Sequence, residues 1–195
     1  MTLRLAGSTS GYTEIDCPSV GGNNTLVLPT GNGTSGQVLQ TNGSGTLSWG
    51  NASSNAPCFQ AVMGTGQSIS SNVYTKIAFN LEDFDVGGCY NTANFRFTPN
   101  VAGIYCISSS VGIITPGAVC STLTAITFNG TTTRENWSTV ANISNTYTNH
   151  ASALLRFNGS SDYVEIYGYQ NSGVTCTAAS GVYSWFEAFF VRPTP

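Results

Sequence analysis

Residues 79–109 read FNLEDFDVGGCYNTANFRFTPNVAGIYCISS. The stretch opens with the end of an apolar strand at Phe79, and we expect the acidic, glycine-rich residues 82–88 that follow to form a loop. Two predicted strands, residues 94–98 and 103–111, then flank a short turn. The stretch therefore predicts β-strands joined by tight turns.

The turn between these two strands covers residues 99–102. Pro99 is expected to end the first strand, because its ring fixes φ and removes a backbone donor. Gly103 begins the second strand, where glycine can take a positive φ.

The spacing within this stretch resembles the signature of C1q domains, which C1q-like and tumour-necrosis-factor-like trimeric heads share. Its matching positions are Phe79, Asp85, Tyr90, Phe97, Gly103 and Tyr105. Ile107 and Ser109 depart from it, since the signature has Phe and an aromatic residue there.

The resemblance continues downstream and covers about residues 57–193. Residues 155–166 resemble the strand–turn–strand of this family. Residues 184–191 resemble its closing strand, with Ala188 where Gly is usual. The resemblance implies a jelly-roll β-sandwich that forms a trimer.

The composition favours the same fold class. Only 8% of the 195 residues are charged, against about a quarter in ordinary globular chains. With 22 glycines and 11% aromatic residues, we expect an all-β chain with many turns and no helix. The net charge of −3, without a basic stripe, argues against a nucleic-acid partner. No stretch has the length of a membrane helix, so we expect no membrane insertion.

The cysteines and the N-terminus bear on the compartment. The chain has six cysteines, Cys17, Cys58, Cys89, Cys106, Cys120 and Cys176. Their wide spacing, with no Cys-x-x-Cys pair, argues against a zinc site. The first residues contain no apolar run long enough for a signal peptide, so we expect folding in a cytosol. Free thiols are then expected, with disulfides as the alternative.

Residues 1–56 differ in composition from residues 57–195, which form the predicted head. They contain small apolar groups, such as residues 26–28 and 38–39, between clusters of Gly, Asn and Ser. One interpretation is a flexible linker. We favour a short β-rich stalk that orders only when chains wind together, because a single copy has too few apolar residues to form a core.

A sequence resemblance also supports the stalk prediction. The elements Gly-Asn-Gly at 31–33, Gly-Gln-Val-Leu at 36–39 and Leu-Ser-Trp at 47–49 resemble stalk segments of phage tail fibres, notably those of cyanobacterial phages. This resemblance spans about residues 3–50, and a Ser/Asn/Pro connector at residues 51–57 follows it.

The sequence contains few residues in patterns typical of catalytic or metal-binding sites. His150 is the single histidine and has no acidic neighbour in sequence, so we expect an ordinary strand-edge or interface histidine and no catalytic residue. Glu82, Asp83 and Asp85 lie close together, and calcium binding on the predicted acidic loop stays an alternative. No cofactor and no metal site are predicted.

These features predict a homotrimeric virion appendage of a bacteriophage, a fibre or head-decoration protein. Its head would bind a glycan or protein of the host surface, and its N-terminal segment would attach to tail or capsid proteins. Two alternatives remain open: a secreted C1q-like recognition protein, and a polysaccharide depolymerase with paired carboxylates.

Contact residues are expected on two long loops, residues 131–150 and 170–180. Trp137, Tyr147 and Tyr169 are the candidate receptor contacts, because aromatic rings offer stacking faces for sugars. Tyrosines also alternate along residues 163–169, and a subunit interface is one interpretation of that face.

Overall fold

The computed structural model describes residues 3–6, 9–15, 23, 25–51, 56–117, 119–141 and 144–193. It divides into two compact units, Met1–Ser54 and Asn55–Pro195. Cys17 and residues 52–55 of the predicted connector lie outside the described residues.

The N-terminal unit consists of short hairpins. β1 (Leu3–Ala6) pairs antiparallel with β2 (Tyr12–Ile15), and β3 (Gln37–Thr41) pairs antiparallel with β4 (Leu47–Asn51). The apolar group at residues 26–28 is not a strand, and only Val27 forms an isolated parallel bridge to Thr46. Several apolar side chains of this unit are exposed in the single chain: Leu5, Ile15, Leu26, Val27, Leu28, Val38 and Leu39.

Trp49 fixes the glycine-rich turn that precedes the second hairpin. Its indole N–H donates a 2.6 Å hydrogen bond to the carbonyl of Gly31. A Cβ at Gly33 would lie 2.8 Å from the indole ring, and Gly33 also has a φ of +71°. Close approach and backbone conformation both require glycine at this turn.

The described residues of the C-terminal unit, called the head below, contain thirteen strands. In chain order they are β5 (Cys58–Val62), β6 (Gln67–Ile69), β7 (Thr75–Lys76), β8 (Leu81–Val86), β9 (Tyr90–Asn91), β10 (Arg96–Phe97), β11 (Gly103–Ile114), β12 (Cys120–Phe128), β13 (Thr131–Val140), β14 (Thr146–Phe157), β15 (Val164–Gln170), β16 (Cys176–Ala178) and β17 (Trp185–Arg192).

These strands form two antiparallel sheets. The six-stranded sheet has the order β13-β12-β15-β10-β9, with β7 also paired to β15. The seven-stranded sheet has the order β6-β16-β11-β17-β5-β8, and β14 is also paired to β11. The turn Asn129-Gly130 joins β12 to β13, and both residues have positive φ as a tight hairpin turn requires. The all-β sandwich predicted from the sequence is confirmed.

The core lies between the sheets, because side chains on each strand alternate between inside and outside. On β17, Phe186 and Ala188 point inward while Glu187 and Phe189 are more exposed. Aromatic rings dominate the centre, where Phe59 stacks on Tyr90 at 4.5 Å and on Phe97 at 4.9 Å between ring centroids.

The acidic segment is a strand rather than the predicted loop. Leu81–Val86 forms β8, which pairs with β5 at the edge of the seven-stranded sheet, and the turn comes after it at Gly87-Gly88. Charged side chains suit an exposed edge strand, because they discourage pairing with further chains. The glycines were a correct turn signal, but the acidic residues belong to the strand.

Residues 131–150, predicted as a long polar loop, are mostly strand. They form β13 and the first part of β14, and residues 170–180 likewise contain β16. β13 is exposed along most of its length at a sheet edge, so its sequence shows no apolar alternation. Two other predicted strands are shorter than expected, since only Thr75–Lys76 and Arg96–Phe97 are in ladders.

No helix in the described part of the chain is long and apolar enough to cross a membrane. The helical structure described there is one 3-10 turn, Gly181–Tyr183.

Five of the six cysteines lie among the described residues, and all five are free thiols. Burial raises the pKa of the Cys89, Cys106 and Cys120 thiols, so they are poor nucleophiles near neutral pH.

We expect all six thiols, including Cys17, to react with a thiol reagent once the protein is unfolded without reductant. Buried protonated thiols oxidise slowly, so the native protein should retain them. A colourimetric thiol count on denatured, unreduced protein checks this. A count of four or fewer would mean at least one disulfide and would favour export.

Candidate functional site

The signature residues occupy the centre of the head. Phe79, Phe97 and Tyr105 are fully buried, and Tyr90 is nearly so. Ile107 and Ser109, the two departures from the signature, are buried as well. The Ser109 hydroxyl donates a 2.7 Å hydrogen bond to the Trp185 carbonyl, so a small polar residue is accommodated where the signature has an aromatic ring.

Hydrogen bonds connect three of these positions. The Asp85 carboxylate accepts a 2.8 Å bond from the backbone N–H of Tyr90, and the Tyr90 hydroxyl donates a 2.8 Å bond to the Phe79 carbonyl. Burial raises the pKa of the Tyr90 hydroxyl, so it remains a donor at neutral pH. Asp85 therefore organises the turn after β8.

Gly103 is required for a different reason from the predicted one. Its φ is not positive. A Cβ at this position would lie 2.8 Å from the Arg192 carbonyl and would overlap the ring of Phe190. Glycine here allows the beginning of β11 to approach the last strand, β17, closely.

The outer face of the six-stranded sheet carries a charged cluster around Glu165. Its carboxylate lies 2.7 Å from the Arg96 guanidinium and 3.0 Å from the Lys76 ammonium. Arg96 also lies over the ring of Tyr163, 3.6 Å from its centroid, and Tyr167 donates a 3.2 Å hydrogen bond to Glu165. The predicted tyrosine-rich face is therefore partly occupied by an internal ion cluster.

Burial alone would raise the pKa of the Glu165 carboxyl. Hydrogen bonds from Arg96 and Lys76, together with their positive charges, outweigh burial, so the pKa of Glu165 lies below its ordinary value. The carboxylate is thus held ionised and cannot act as a protonated acid near neutral pH.

Replacing Glu165 by glutamine should lower the free energy of unfolding by about 1–3 kcal/mol at pH 7, because charge-assisted hydrogen bonds are lost. A group with a lowered folded-state pKa stabilises above its unfolded pKa, about 4.3, and this stabilisation disappears as the pH falls through the folded-state pKa. Urea midpoints of wild type and E165Q should therefore converge below about pH 4. A difference that stays constant from pH 7 to acid pH would contradict this assignment.

Beside this cluster lies an aromatic patch, formed by Tyr74, Trp137 and Tyr169 with Glu135 and Asn72. Trp137 and Tyr169 are both paired with Leu123 of β12, which places them on one face of the sheet. The ring centroids of Tyr169 lie 5.4 Å from Trp137 and 5.0 Å from Tyr74. Trp137 is 48% exposed and Tyr74 43% exposed.

Glu135 holds two of these rings in place. One carboxylate oxygen accepts a 2.6 Å hydrogen bond from the Tyr74 hydroxyl, and the other accepts a 2.9 Å bond from the Trp137 indole N–H. The Tyr169 hydroxyl donates a 3.1 Å bond to the Asn72 side chain. Desolvation and the bond to Glu135 raise the pKa of Tyr74 to about 12.

Two of the three candidate contacts, Trp137 and Tyr169, are brought together in this patch. Trp137 lies on β13 rather than on the predicted loop, and Tyr169 lies on β15. Tyr147 lies on β14 of the other sheet, opposite Ile113, and is half-buried. Sequence reasoning missed Tyr74 and Glu135. The Glu135-x-Trp137 spacing was an available signal, because alternate residues of a strand share a face.

The seven-stranded sheet has an exposed apolar row on its outer face. The cross-strand pairs run through five strands, so their side chains lie side by side. The row consists of Val86, Cys58, Phe189, Cys106 and Leu154. Phe189 is 49% exposed and Leu154 68% exposed. A second row on the same face joins Leu81 to Val62 and Trp185.

A polar row that contains Gln60, Glu187 and Ser108 lies between these two rows. Ser108 contacts His150, which is in register with Ser110 and Trp185 of the second row. The Ser108 hydroxyl is 2.9 Å from His150 Nε2, and the His150 ring lies 5.0 Å from that of Trp185. The neighbouring backbone N–H groups are engaged in the β11 ladders, so they are not free to form an oxyanion hole. His150 thus lies on β14, which pairs with β11, and its place at a subunit interface stays a prediction.

The acidic residues Glu82, Asp83 and Asp85 do not converge. They lie along β8, where a register shift opposite Gln60 and Ala61 of β5 interrupts the alternation of side chains at Asp83. Within the described ranges, no group of three or more His, Cys, Asp or Glu side chains is arranged to hold a metal ion.

Comparison of the sequence with protein-family models found no match, and comparison with curated proteins found none either. Solved structures are similar in fold. The globular domain of zebrafish complement 1qA has a TM-score of 0.51 at 14% identity, covering 71% of this chain and 99% of that one. Eiger TNF from S. frugiperda has a TM-score of 0.50 at 10% identity, covering 72% and 94%.

Murine APRIL has a TM-score of 0.51 at 10% identity, with 70% of this chain and 99% of that chain covered. At 10–14% identity, these comparisons establish a similarity of fold alone. The head has the jelly-roll fold shared by C1q and tumour-necrosis-factor-like heads.

Proposed function

We propose that this chain is a homotrimeric appendage of a bacteriophage particle, a tail fibre or a capsid-decorating protein, whose head binds the host-cell surface. Its N-terminal segment acts as a stalk and attaches to other virion proteins. The function requires neither catalysis nor a cofactor. The observation that carries it is the combination of a C1q/TNF-like head with an N-terminal segment of short hairpins whose apolar side chains are exposed.

The apolar row of the seven-stranded sheet supports the trimer. Water-exposed Phe189, Leu154 and Val86 side chains are unfavourable in an isolated chain. In a trimer with three-fold symmetry, each copy would place its apolar row at the same position, so the rows of the three copies could be buried together around the axis. Subunit interfaces have an apolar centre and a polar rim, and the aromatic and aliphatic side chains of the two rows provide apolar surface of this kind.

The N-terminal hairpins support the stalk. Ordering a residue costs about 1–2 kcal/mol, and each buried Leu or Val contributes only about 1.5–3 kcal/mol. Leu26, Leu28 and Leu39 are exposed in the single chain and add little there. Burial between three chains would offset the ordering cost.

Recognition by such an appendage depends on multivalency. A single head can bind its receptor weakly, because three heads per trimer and many trimers per particle raise the effective concentration at the cell surface.

A secreted recognition protein is the second candidate, since the similar solved structures include a complement protein and TNF-family proteins. The five described cysteines are free thiols, which favours the virion role.

Purified phage particles provide the test. Mass spectrometry should detect this chain in the particles, and immunogold labelling should place it on the tail or on the capsid. Purified full-length protein should also bind cells of the infected strain. Particles that lack the chain would contradict the virion role, whichever surface the isolated protein binds.

A further inference from the structure

We propose that the aromatic patch of Tyr74, Trp137 and Tyr169 with Glu135 is a binding site for a neutral saccharide. This inference rests on the proposed function and names the class of host-surface ligand that the head would bind.

The rings provide the stacking surface. Sugar rings have an apolar C–H face and polar edges, and they bind best where aromatic surface lies beside hydrogen-bonding groups. Trp137 is half-exposed although its indole N–H is already bonded to Glu135. Its exposed surface is therefore apolar and available, while contacts with Tyr169 and Glu135 hold the ring in one orientation.

Glu135 provides the polar edge. Each of its carboxylate oxygens accepts one hydrogen bond from the protein, from Tyr74 and from Trp137. A carboxylate oxygen can accept more than one hydrogen bond, so both oxygens retain capacity for sugar hydroxyls. Charge-assisted bonds of this kind are stronger than neutral ones and fix the orientation of a ligand.

The charges around the patch favour a neutral sugar over an anionic one. Glu135 is the acidic group in direct contact with the rings. Two cations on the same sheet, Lys76 and Arg96, are paired with Glu165. A third, Arg134, precedes Glu135 on β13 and is in register with Ile126 of the core, which places it on the opposite face of the sheet from Glu135. An anionic saccharide would meet the Glu135 carboxylate without a free cation among these neighbours to compensate.

A shallow hollow adjoins the patch and shares Tyr74 with it. Its volume is about 220 Å³, and it is lined by Tyr74, Thr127, Gly130, Thr132 and Tyr167. Small residues and two tyrosines therefore line it. Pockets for drug-sized ligands measure about 300–1,000 Å³, so this hollow suits a single sugar ring at the end or side of a glycan.

Saturation-transfer NMR on the full-length protein tests the proposal. The probes are the methyl glycosides of glucose, galactose, mannose and N-acetylglucosamine, with N-acetylneuraminic acid as the anionic comparison. We expect at least one neutral glycoside to bind with a Kd of about 1 mM and the anionic sugar not to bind. Trp137→Ala should weaken binding by about tenfold or more, and Trp137→Phe should restore part of it.

Tyr183→Ala is the matched control, because Tyr183 is a similarly exposed aromatic residue that lies in the 3-10 turn, outside the patch. It should leave sugar binding unchanged. The proposal is overturned if none of the neutral glycosides binds, if W137A binds them as wild type does, or if W137A changes the oligomeric mass instead, which would make the patch a subunit contact.

Two experimental outcomes distinguish an error in the saccharide-site proposal from an error in the proposed function. If wild type and W137A bind host cells equally, the head is a receptor-binding protein and the saccharide site is wrong. If W137A loses sugar binding but the chain is missing from phage particles, the site is correct and the virion role is wrong.

Discussion

Replacing Phe97 by alanine should lower the free energy of unfolding by about 3–5 kcal/mol, because removing a large buried ring leaves a cavity that the core fills only in part. Phe97 is fully buried and packs against three other rings, with centroid distances of 4.9 Å to Phe59, 5.6 Å to Tyr105 and 5.8 Å to Phe157. Urea unfolding at one fixed chain concentration measures the loss, since the stability of an oligomer depends on concentration.

Tyr183→Ala is the control for this measurement as well, and its effect should stay within about 0.5 kcal/mol. A Phe97→Ala protein as stable as wild type would mean that the aromatic centre between the sheets is not the core of the head.

Replacing Phe189 by aspartate should convert the proposed trimer to single chains. Phe189 lies in the middle of the apolar row, between Cys58 and Cys106. A carboxylate there would be removed from water in the assembled interface without a partner, which costs several kcal/mol for each copy. The side chain is half-exposed in the single chain, so the fold itself should tolerate the substitution.

Val174→Asp is the matched control, because Val174 is about equally exposed but lies in the segment between β15 and β16, outside the row. Light scattering should give the trimer mass for this variant and the single-chain mass for Phe189→Asp. An unchanged trimer in the Phe189→Asp protein would exclude the apolar row as the subunit interface.

The signature positions fall in the centre of the head, because residues that point inward on paired strands recur at fixed spacing. Phe97 and Tyr105 illustrate this, since the strand pleat and the turn length between them leave little freedom. β13 was missed because both of its faces are largely exposed at a sheet edge, so no alternation marks it. Strands of two residues, such as Arg96–Phe97, also have no detectable period.

The aromatic patch could be predicted only in part. Trp137 and Tyr169 were identifiable as large aromatic residues in polar surroundings, but their contact depends on the register that both strands share with β12. Tyr74 and Glu135 come from separate parts of the chain and meet through a side-chain hydrogen bond. Residue type alone does not predict this side-chain contact, because the register between the strands determines which side chains lie next to each other.

The mass of the full-length protein in solution tests the central claim most directly. Each chain has a mass of 20.4 kDa. Light scattering on the purified protein at micromolar concentration should give three times that value, and the value should stay constant on dilution, because shared burial of the apolar row and the stalk favours a closed trimer. A well-folded protein with the mass of a single chain would contradict the account.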